Sequence, residues 1–332
     1  MTRFLLLLLL GLFVVGPGSR AEASDPIVIR FSHVVSEKAP KGVGALRFKE
    51  LAEARLPGRV QVEVYPSSRK FTDEEVVPAL LFGDVELAAP SMVILRGYSP
   101  AVQVYELPFL FKDVDHIHRF QAGPTGQMLL QSMLPRGIRG LGYWDGGMRV
   151  LSANKPLHSP ADASGLMFRT ESSQIFQRAY DRIGVVTLPL PFRLLADAIR
   201  DGLVDGQENS WPNIYTRGIH KLHRYYTPLH HTFLGYMVIA NDDFWTRLPA
   251  DVRPVLEEIL AEVTREVNDL ARQEAETLAQ KAASEAEIEV LPLNENELAE
   301  WRSAFTPVWR EFEPVIGADV IEAAGAAEGA AR

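Results

Sequence analysis

The stretch PIVIRFSHVV (26–35) opens the pattern that decides the fold class. It is rich in β-branched residues and indicates a buried strand. A helical pattern follows in GVGALRFKELAEAR (42–55), and RVQVEVYP (59–66) then alternates as a strand does. A second helical stretch, DEEVVPALLFG (73–83), precedes a third strand in DVELAAPS (84–91). This alternation predicts an α/β fold with a parallel sheet covered by helices.

The middle of the chain also shows strand and helix patterns, in shorter segments. GIRGLGYW (137–144) and MRVLSANKPL (148–157) indicate strands around a glycine-rich bend, and GLMFRT (165–170) indicates another. In LADAIRDGLVDGQENSW (195–211) we expect a helix ended by Gly202 and a short strand at 203–206. The polar triplet 207–209 would then follow the carboxyl end of that strand, where open α/β sheets bind ligands.

A long helical tract runs from about Val252 to Glu287. At about 1.5 Å per residue it would extend about 50 Å, so it either braces two domains or contains a bend. Asn294 with Glu297 predicts the cap of a further helix through Trp301. The terminal AAGAAEGAAR (323–332) is of low complexity, and we expect it to be frayed.

The N-terminus predicts an exported protein. A short basic start precedes the apolar run 4–15, a Gly-Pro-Gly break and the small-x-small pattern Ala21-Glu22-Ala23, as in a cleaved signal peptide. The apolar run is too short for a stable membrane-spanning helix, although an uncleaved anchor is the alternative interpretation. We expect residues 1–23 to be removed and the mature protein to reside in the periplasm.

Composition limits the function classes. The chain has no cysteine, so an oxidising compartment is used without disulfides. The 34 basic and 43 acidic residues give a formal charge of −9, and loss of two arginines and one glutamate with residues 1–23 makes it −10. An acidic chain without a basic tract is a poor binder of nucleic acid or anionic lipid. An anionic ligand would therefore depend on a few local cations.

Motifs for catalysis or metal binding are not found in the sequence. There is no G-x-S-x-G, H-E-x-x-H, phosphate-binding G-x-x-x-x-G-K or calcium loop. Three pairs of nearby histidines lack a further ligand at a recognised zinc spacing, and we expect them to be solvated at the surface. These histidines are His116 and His118, His220 and His223, and His230 and His231.

Arg169 is the most informative single residue. It lies in GLMFRT, where strand alternation directs Met167 and Arg169 to one side. A guanidinium in an apolar strand cannot lose its proton and therefore needs a partner. That partner is either an internal acid, Glu171 or Glu208, or a ligand carboxylate held by two parallel hydrogen bonds. Arg149, in a similar strand, presents the same two alternatives.

Seven ordered stretches carry a resemblance to the solute-binding proteins of tripartite ATP-independent periplasmic (TRAP) transporters, of the DctP type. The resemblance covers nearly the whole mature chain. The stretches are FSHVVSEKAPKG (31–42), VEVYPSS (62–68), ELPFLFKD (106–113), YWDGGMR (143–149), GLMFRTESS (165–173), LPFRLLADAIRDGLVDGQENSW (190–211) and GYMVIANDDFWTRLPADVR (235–253).

The resemblance implies a two-lobed periplasmic-binding-protein fold with hinge strands and a long helix spanning both lobes. It places residues 24–147 and about 235–273 in lobe I. Residues 148–234 and about 274–325 would form lobe II, followed by a frayed tail at 326–332. The lobes would close over an organic acid.

The resemblance also implies roles for individual residues. Arg169 would hold the ligand carboxylate, assisted by Asn209, and Arg149 would supply a second cation. Phe192 would form a wall of the pocket. Gln207 and Glu208 would secure the turn next to Asn209.

The start SHVV and the stretch ENSWPNIY are similar to the branch that binds C4-dicarboxylates such as malate, succinate and fumarate. His33 and Lys41 are then candidates for the second carboxylate, because both follow the first strand. Ser91 and Trp211 are further candidates for the site.

Two departures from that branch leave the ligand open. Gln174 stands where a lysine is frequent, and Arg193 stands where an acid is usual. A monocarboxylate, a sugar acid or a bulkier acid is therefore an alternative ligand. A periplasmic sensor receptor and a periplasmic hydrolase or lyase are alternative functions, although no nucleophile or base with an orienting partner is recognised.

The resemblance implies no catalysis and no cofactor or metal. The partners it implies are the ligand and the membrane permease of the transporter. It also implies a mainly monomeric protein.

Overall fold

The predicted α/β architecture is present in the computed structural model, which describes residues 25–329. Within that range, eleven strands form two separate sheets with helices packed against them. The fold class is thus confirmed. The predicted signal peptide lies outside the described residues.

The strands are short except for two that run along the first sheet. They are β1 (Ile27–Ser32), β2 (Val60–Tyr65), β3 (Leu87–Ala88), β4 (Ile138–Met148), β5 (Val150–Ala153), β6 (Met167–Thr170), β7 (Val186–Pro189), β8 (Gly206–Asn209), β9 (Tyr225–Thr227), β10 (Phe233–Asn241) and β11 (Glu289–Val290).

The α-helices range from a single turn to 33 residues. They are α1 (Pro40–Arg55), α2 (Asp73–Phe82), α3 (Val114–Ala122), α4 (Pro124–Gln131), α5 (Pro160–Ala163), α6 (Gln174–Asp181), α7 (Leu195–Arg200), α8 (Trp211–Thr216), α9 (Asp242–Arg247), α10 (Arg253–Glu285), α11 (Glu295–Phe305), α12 (Trp309–Ile316) and α13 (Ala318–Ala326). Short 3₁₀ helices lie at Met92–Gly97, Pro100–Glu106, Leu134–Arg136, Phe192–Leu194, Ile219–Lys221 and Thr306–Val308.

The first sheet has the strand order β2-β1-β3-β10-β4. β1 pairs in parallel with β2 and β3, as the alternating pattern at 26–91 predicts. β10 runs antiparallel to β3 and β4 and so completes a sheet built mainly from earlier residues. β1 buries one face rather than two, because Ile29 and Phe31 are fully buried whereas Val28 is exposed.

The second sheet has the order β11-β9-β5-β8-β6-β7. The strand predicted at 203–206 is wrong by three residues, because β8 itself contains Gln207, Glu208 and Asn209. This register follows from pairing on both sides, antiparallel to β5 and parallel to β6. Gly206 permits the close approach, since a Cβ there would lie 2.4 Å from the ring of Phe168.

Two short segments lead directly from one sheet to the other. Arg149 alone separates β4 from β5, and residues 228–232 lead from β9 back to β10. The segments are hydrogen-bonded to each other, with Arg149 N donating to Thr232 O (2.9 Å) and His230 N donating to Arg149 O (3.0 Å). Any rotation of one sheet against the other therefore acts on the backbone at Arg149.

Helix α10 packs against both sheet units. Its first half buries residues such as Ile259 and Val263 in the core beside β1 and β10, and its second half buries Leu278 and Ala282 beside α7 and α8. The helix continues without a break over 33 residues, so the predicted long helix is confirmed. No helix within residues 25–329 combines the length and apolarity needed to cross a bilayer.

The C-terminal helices divide between the two units. Trp301 and Phe305 of α11 lie in the core of the second unit, as expected. Phe312 of α12 and Val320 of α13 instead pack in the core of the first unit. The expectation that residues up to 325 belong with the second sheet is therefore wrong for α12 and α13, because their apolar faces cover the first.

The prediction of a frayed C-terminal tail is wrong for the part of the tail that the structure describes. His116 Nε2 hydrogen-bonds to Ala324 O (2.6 Å), and Arg119 Nε donates to Ala327 O (2.8 Å). Helix α3 thus anchors this segment as far as Glu328, whose carbonyl accepts from Arg119 Nη2 at 3.3 Å. Small residues there fit closely against α3 instead of fraying.

The expectation of solvated histidines is wrong at four of the six positions. His116, His220, His223 and His231 are each no more than 3% exposed. Burial lowers the pKa of His223 to about 4 and also lowers that of His231, so both rings are neutral at pH 7. Sequence spacing did not reveal this burial, since it depends on packing from distant elements.

Candidate ligand-binding site

A cavity lies between the two sheets, at the carboxyl ends of their parallel strands. Its empty volume, including part of the open mouth, is about 450 Å³. The first unit contributes Val34, Val35, Ser68, Thr72, Asp73, Glu74, Ile94, Leu234 and Tyr236. The second contributes Arg169, Glu171, Phe192, Asn209 and Asn213.

Arg169 reaches the cavity from the end of β6 and is 2% exposed. Its Nε and Nη2 donate to the carbonyl of Leu190 at 2.9 and 2.6 Å, which fixes the plane of the guanidinium. It forms no ion pair with any described residue. Burial lowers its pKa, but an arginine remains protonated in a protein. The site therefore contains a fixed cation without a bonded anion.

Phe192 lies beside this cation. The centre of its ring is 5.9 Å from the guanidinium carbon of Arg169, within the range of a cation–π contact. Residues 192–194 form a 3₁₀ turn after β7, and this turn brings the ring to the cavity. The structure thus brings Phe192 to the cavity next to Arg169.

Asn209 is the last residue of β8 and lines the cavity together with Arg169. Its Oδ1 accepts hydrogen bonds from Ser210 N and from Asn213 Nδ2, both at 3.0 Å. The oxygen is thereby used, and the Nδ2 group makes no hydrogen bond to a described residue. Asn213 also donates to Tyr236 Oη at 2.8 Å, which joins the two sheet units across the cavity.

Arg149 is buried behind the cavity lining and is held by two acids. Its Nη1 donates to Glu208 Oε1 at 2.9 Å, and its Nη2 pairs with Glu171 Oε2. Burial alone would raise the pKa of Glu171. The nearby charges of Arg149 and Arg169 outweigh this effect and lower the pKa, so the carboxylate is charged at pH 7. The expected role of Arg149 as a ligand cation is thus corrected: its two terminal nitrogens bind acids of the protein.

Asp73 and its neighbour Glu74 are the acids that line the cavity from the first unit, and Asp73 has the more buried carboxylate. Asp73 is the first residue of α2, after the N-cap Thr72, whose side chain forms a capping box with Glu75. Its Oδ2 accepts a long hydrogen bond from Ser91 N (3.4 Å), and its buried Oδ1 has no partner among the described residues. Burial raises its pKa to about 6, opposed by Lys41.

The two candidates after β1 lie behind the lining. Lys41 is 1% exposed; its Nζ donates to Ala89 O at 2.9 Å and lies 3.5 Å from the ring centre of Tyr236. His33 is 2% exposed, and burial together with Lys41 lowers its pKa to about 3. His33 is therefore neutral at pH 7 and adds no positive charge for a second carboxylate.

Ser91 and Trp211 are also buried without lining the cavity. Ser91 Oγ has no hydrogen-bond partner among the described residues, although its backbone contacts Asp73. Trp211 packs against Tyr226, with ring centres 5.1 Å apart, in the core of the second unit. Its position favours a packing role over direct contact.

Sequence reasoning missed three lining residues that form specific contacts. Asn213 follows Asn209 by four residues across a strand-to-helix junction, a spacing that could have indicated it. Asp73 directly follows Thr72, and a threonine with a glutamate three residues later is a recognisable signal for a helix start. Tyr236 had no comparable signal, because β10 joins the sheet from a distant part of the chain.

The fold is that of a two-unit α/β protein with a cavity between its two sheet units. The sequence model of the DctP family, described as "Bacterial extracellular solute-binding protein, family 7", matches residues 31–314. The chain therefore belongs to this family and is a DctP-type solute-binding protein of the TRAP class.

Similar proteins agree with this assignment. The C4-dicarboxylate-binding periplasmic protein DctP of Rhodobacter capsulatus is 40% identical over 308 residues, covering 92% of each chain. A TRAP periplasmic solute-binding protein from Shewanella oneidensis with bound succinate is 42% identical, with a TM-score of 0.89, over 91% of this chain and 99% of that one. One from Pseudomonas aeruginosa with bound L-malate is 40% identical, with a TM-score of 0.83, over 86% and 100%.

Proposed function

We propose that this protein captures a C4-dicarboxylate such as succinate, malate or fumarate and delivers it to a membrane permease. Arg169 carries the proposal: a buried guanidinium that faces a cavity and lacks a bonded anion is suited to a carboxylate. The bound succinate and L-malate of relatives about 40% identical support the ligand class.

In this proposal, one ligand carboxylate binds Arg169 through two parallel hydrogen bonds. The free Nδ2 of Asn209 donates to the same carboxylate, and Phe192 covers the cation from the side. The second carboxylate lies toward the first unit, where Lys41 contributes positive charge from behind Tyr236. Each negative charge then faces a fixed cation, which offsets the cost of leaving water.

We further propose that each sheet belongs to one lobe and that the segments at Arg149 and 228–232 are the hinge. The first lobe comprises residues 24–147 and about 235–273, joined by α12 and α13. The second comprises residues 148–234 and the rest of the chain through α11. A ligand that contacts both lobes stabilises the closed state in proportion to its preference for that state.

The remaining steps follow from this role. The ligand is released unchanged, and the protein acts as a monomer in the periplasm, after removal of residues 1–23. Mass spectrometry of ligand recovered after incubation tests the first point, since any conversion would contradict it. Sedimentation of the purified protein tests the second.

A thermal-shift screen with organic acids tests the proposed function directly. Ligand at 1,000 times its Kd stabilises the folded state by about 4 kcal/mol, so binders raise the melting temperature clearly. We expect shifts with succinate, malate and fumarate and a micromolar Kd, equivalent to about −8 kcal/mol.

Matched ligands sharpen the screen. Butyrate has the same four-carbon chain as succinate with one carboxylate, and glucuronate represents the sugar acids. Succinate should shift the melting temperature at concentrations where these two do not. A larger shift with either control would contradict the C4-dicarboxylate assignment.

A further inference from the structure

Three buried cations lie at the cavity or directly behind its lining, together with four acids, Asp73, Glu74, Glu171 and Glu208. The acids are not equivalent. Glu171 and Glu208 are each bonded to Arg149, whereas Asp73 has no hydrogen bond from a cationic group. The other two cations are Arg169 and Lys41, which donate to the carbonyls of Leu190 and Ala89.

Asp73 is placed to meet a ligand. It lines the cavity from the first unit, opposite Arg169, and its Oδ1 is buried without a partner. A carboxylate oxygen in that state is costly unless a donor arrives or the group becomes neutral. The succinate dianion held by Arg169 brings two further negative charges into the same space and supplies no donor.

The charged groups around Asp73 determine its pKa. Lys41 from α1 lowers its pKa, whereas burial, Glu171 from the end of β6 and Glu74 beside it on α2 raise it, giving a value of about 6. Ser91 N donates to it, and Tyr236 of β10 lies over Lys41. A bound dianion adds a further effect that raises the pKa.

We propose that Asp73 is a ligand-binding residue that takes up one proton from solvent when a dicarboxylate binds. The new O–H then donates a hydrogen bond to the ligand carboxylate, and no other bond changes. The protonated Asp73 then no longer repels the ligand carboxylate but donates a charge-assisted hydrogen bond to it. This inference rests on the proposed function, because it requires a dicarboxylate in the cavity.

Proton uptake is measurable on the unmodified protein by calorimetric titration with succinate at pH 6.5. Two buffers are used, PIPES with a small enthalpy of ionisation and imidazole with a large one. The dependence of the observed enthalpy on the buffer gives the number of protons taken up. With a pKa of about 6 in the free protein, about a quarter of Asp73 is already protonated at pH 6.5, so about 0.8 proton per ligand should be taken up. Binding should therefore be less exothermic in imidazole.

Asp73→Asn keeps the shape of the side chain and removes the titrating group. Its uptake should fall to near zero at pH 6.5, where Lys41, with a pKa of about 8, is already protonated. Asp84→Asn is the control, since it removes an exposed carboxylate of the first unit that does not line the cavity. It should keep the proton uptake of the unmodified protein, whatever its affinity.

The outcomes are distinct. Succinate binding with a buffer-independent enthalpy in the unmodified protein would overturn the role of Asp73 and leave the proposed function intact. Equal proton uptake in the unmodified protein and in Asp73→Asn would also overturn it. Absence of binding heat with succinate, malate and fumarate alike would overturn the proposed function, and this inference with it.

Discussion

Two buried arginines occupy neighbouring parts of the second unit, and they differ in what neutralises them. Arg149 lies on the connection between the sheets and binds Glu171 and Glu208. Arg169 lies at the end of β6 and faces the cavity, and within residues 25–329 it donates only to the carbonyl of Leu190. Both side chains are almost fully buried, at 1% and 2% exposure.

The difference shows how one residue type serves two purposes. An ion pair whose acids belong to the protein is complete without ligand, and it stabilises the connection on which it lies. A cation bound only to a carbonyl leaves its remaining donors for an external carboxylate. The presence of a bonded acid therefore separates a structural arginine from a candidate ligand-binding one, although both come from similar strand patterns.

The largest effect should come from removing the structural arginine. Arg149→Met leaves Glu208 and Glu171 buried without their cation, which should lower the free energy of unfolding by about 3–5 kcal/mol. Urea denaturation of the purified variant measures this. Arg169→Met is the matched control, because it removes a buried cation without isolating an acid. A similar loss of stability in both variants would remove the distinction between the two arginines.

Replacing one cation by another tests the geometry at Arg169. Arg169→Lys keeps the charge but cannot form two parallel hydrogen bonds to a carboxylate, so succinate affinity should fall about 10- to 100-fold. Calorimetric titration gives the change. A lysine variant that binds as tightly as the unmodified protein would show that charge alone is sufficient there.

The smallest effect should appear at the opposite end of the ligand. Lys41→Met removes a buried charge near the second carboxylate and should weaken succinate binding about 10-fold while leaving butyrate unaffected. Lys38→Met, which removes a surface charge three residues earlier, is the control. Thermal-shift titrations with both acids measure the effect. Equal weakening of succinate and butyrate would contradict the placement of the second carboxylate.

Local patterns in the sequence predicted much of the fold. The parallel pairing of β1, β2 and β3 follows from the β-α alternation at 26–91, and α10 follows from its continuous helical composition. The capping box of α11, at Asn294 and Glu297, was also readable, because a cap depends on residues three positions apart. These features depend on contacts local to the chain.

Features that depend on distant packing were not predictable in the same way. The burial of His231 and the attachment of α12 and α13 to the first unit arise from elements far apart in sequence. The register of β8 was missed because its neighbours on both sides, not its own composition, set its length.

At the site, strand alternation drew attention to Arg169, and the family resemblance identified Asn209 and Phe192. All three line the cavity. Arg149 could not be separated from Arg169 by sequence, because the acids that bind it are 22 and 59 residues away. The same limit applies to His33, because its burial could not be inferred from its position after the first strand.

The most direct test of the account is a calorimetric titration of Arg169→Met with succinate, beside the unmodified protein. We predict micromolar binding by the unmodified protein and a loss of at least about 100-fold in the variant, about 2.7 kcal/mol. The free energy of unfolding without ligand should stay within about 1 kcal/mol. Succinate affinity within about threefold of the unmodified protein would contradict the claim that Arg169 holds the ligand carboxylate.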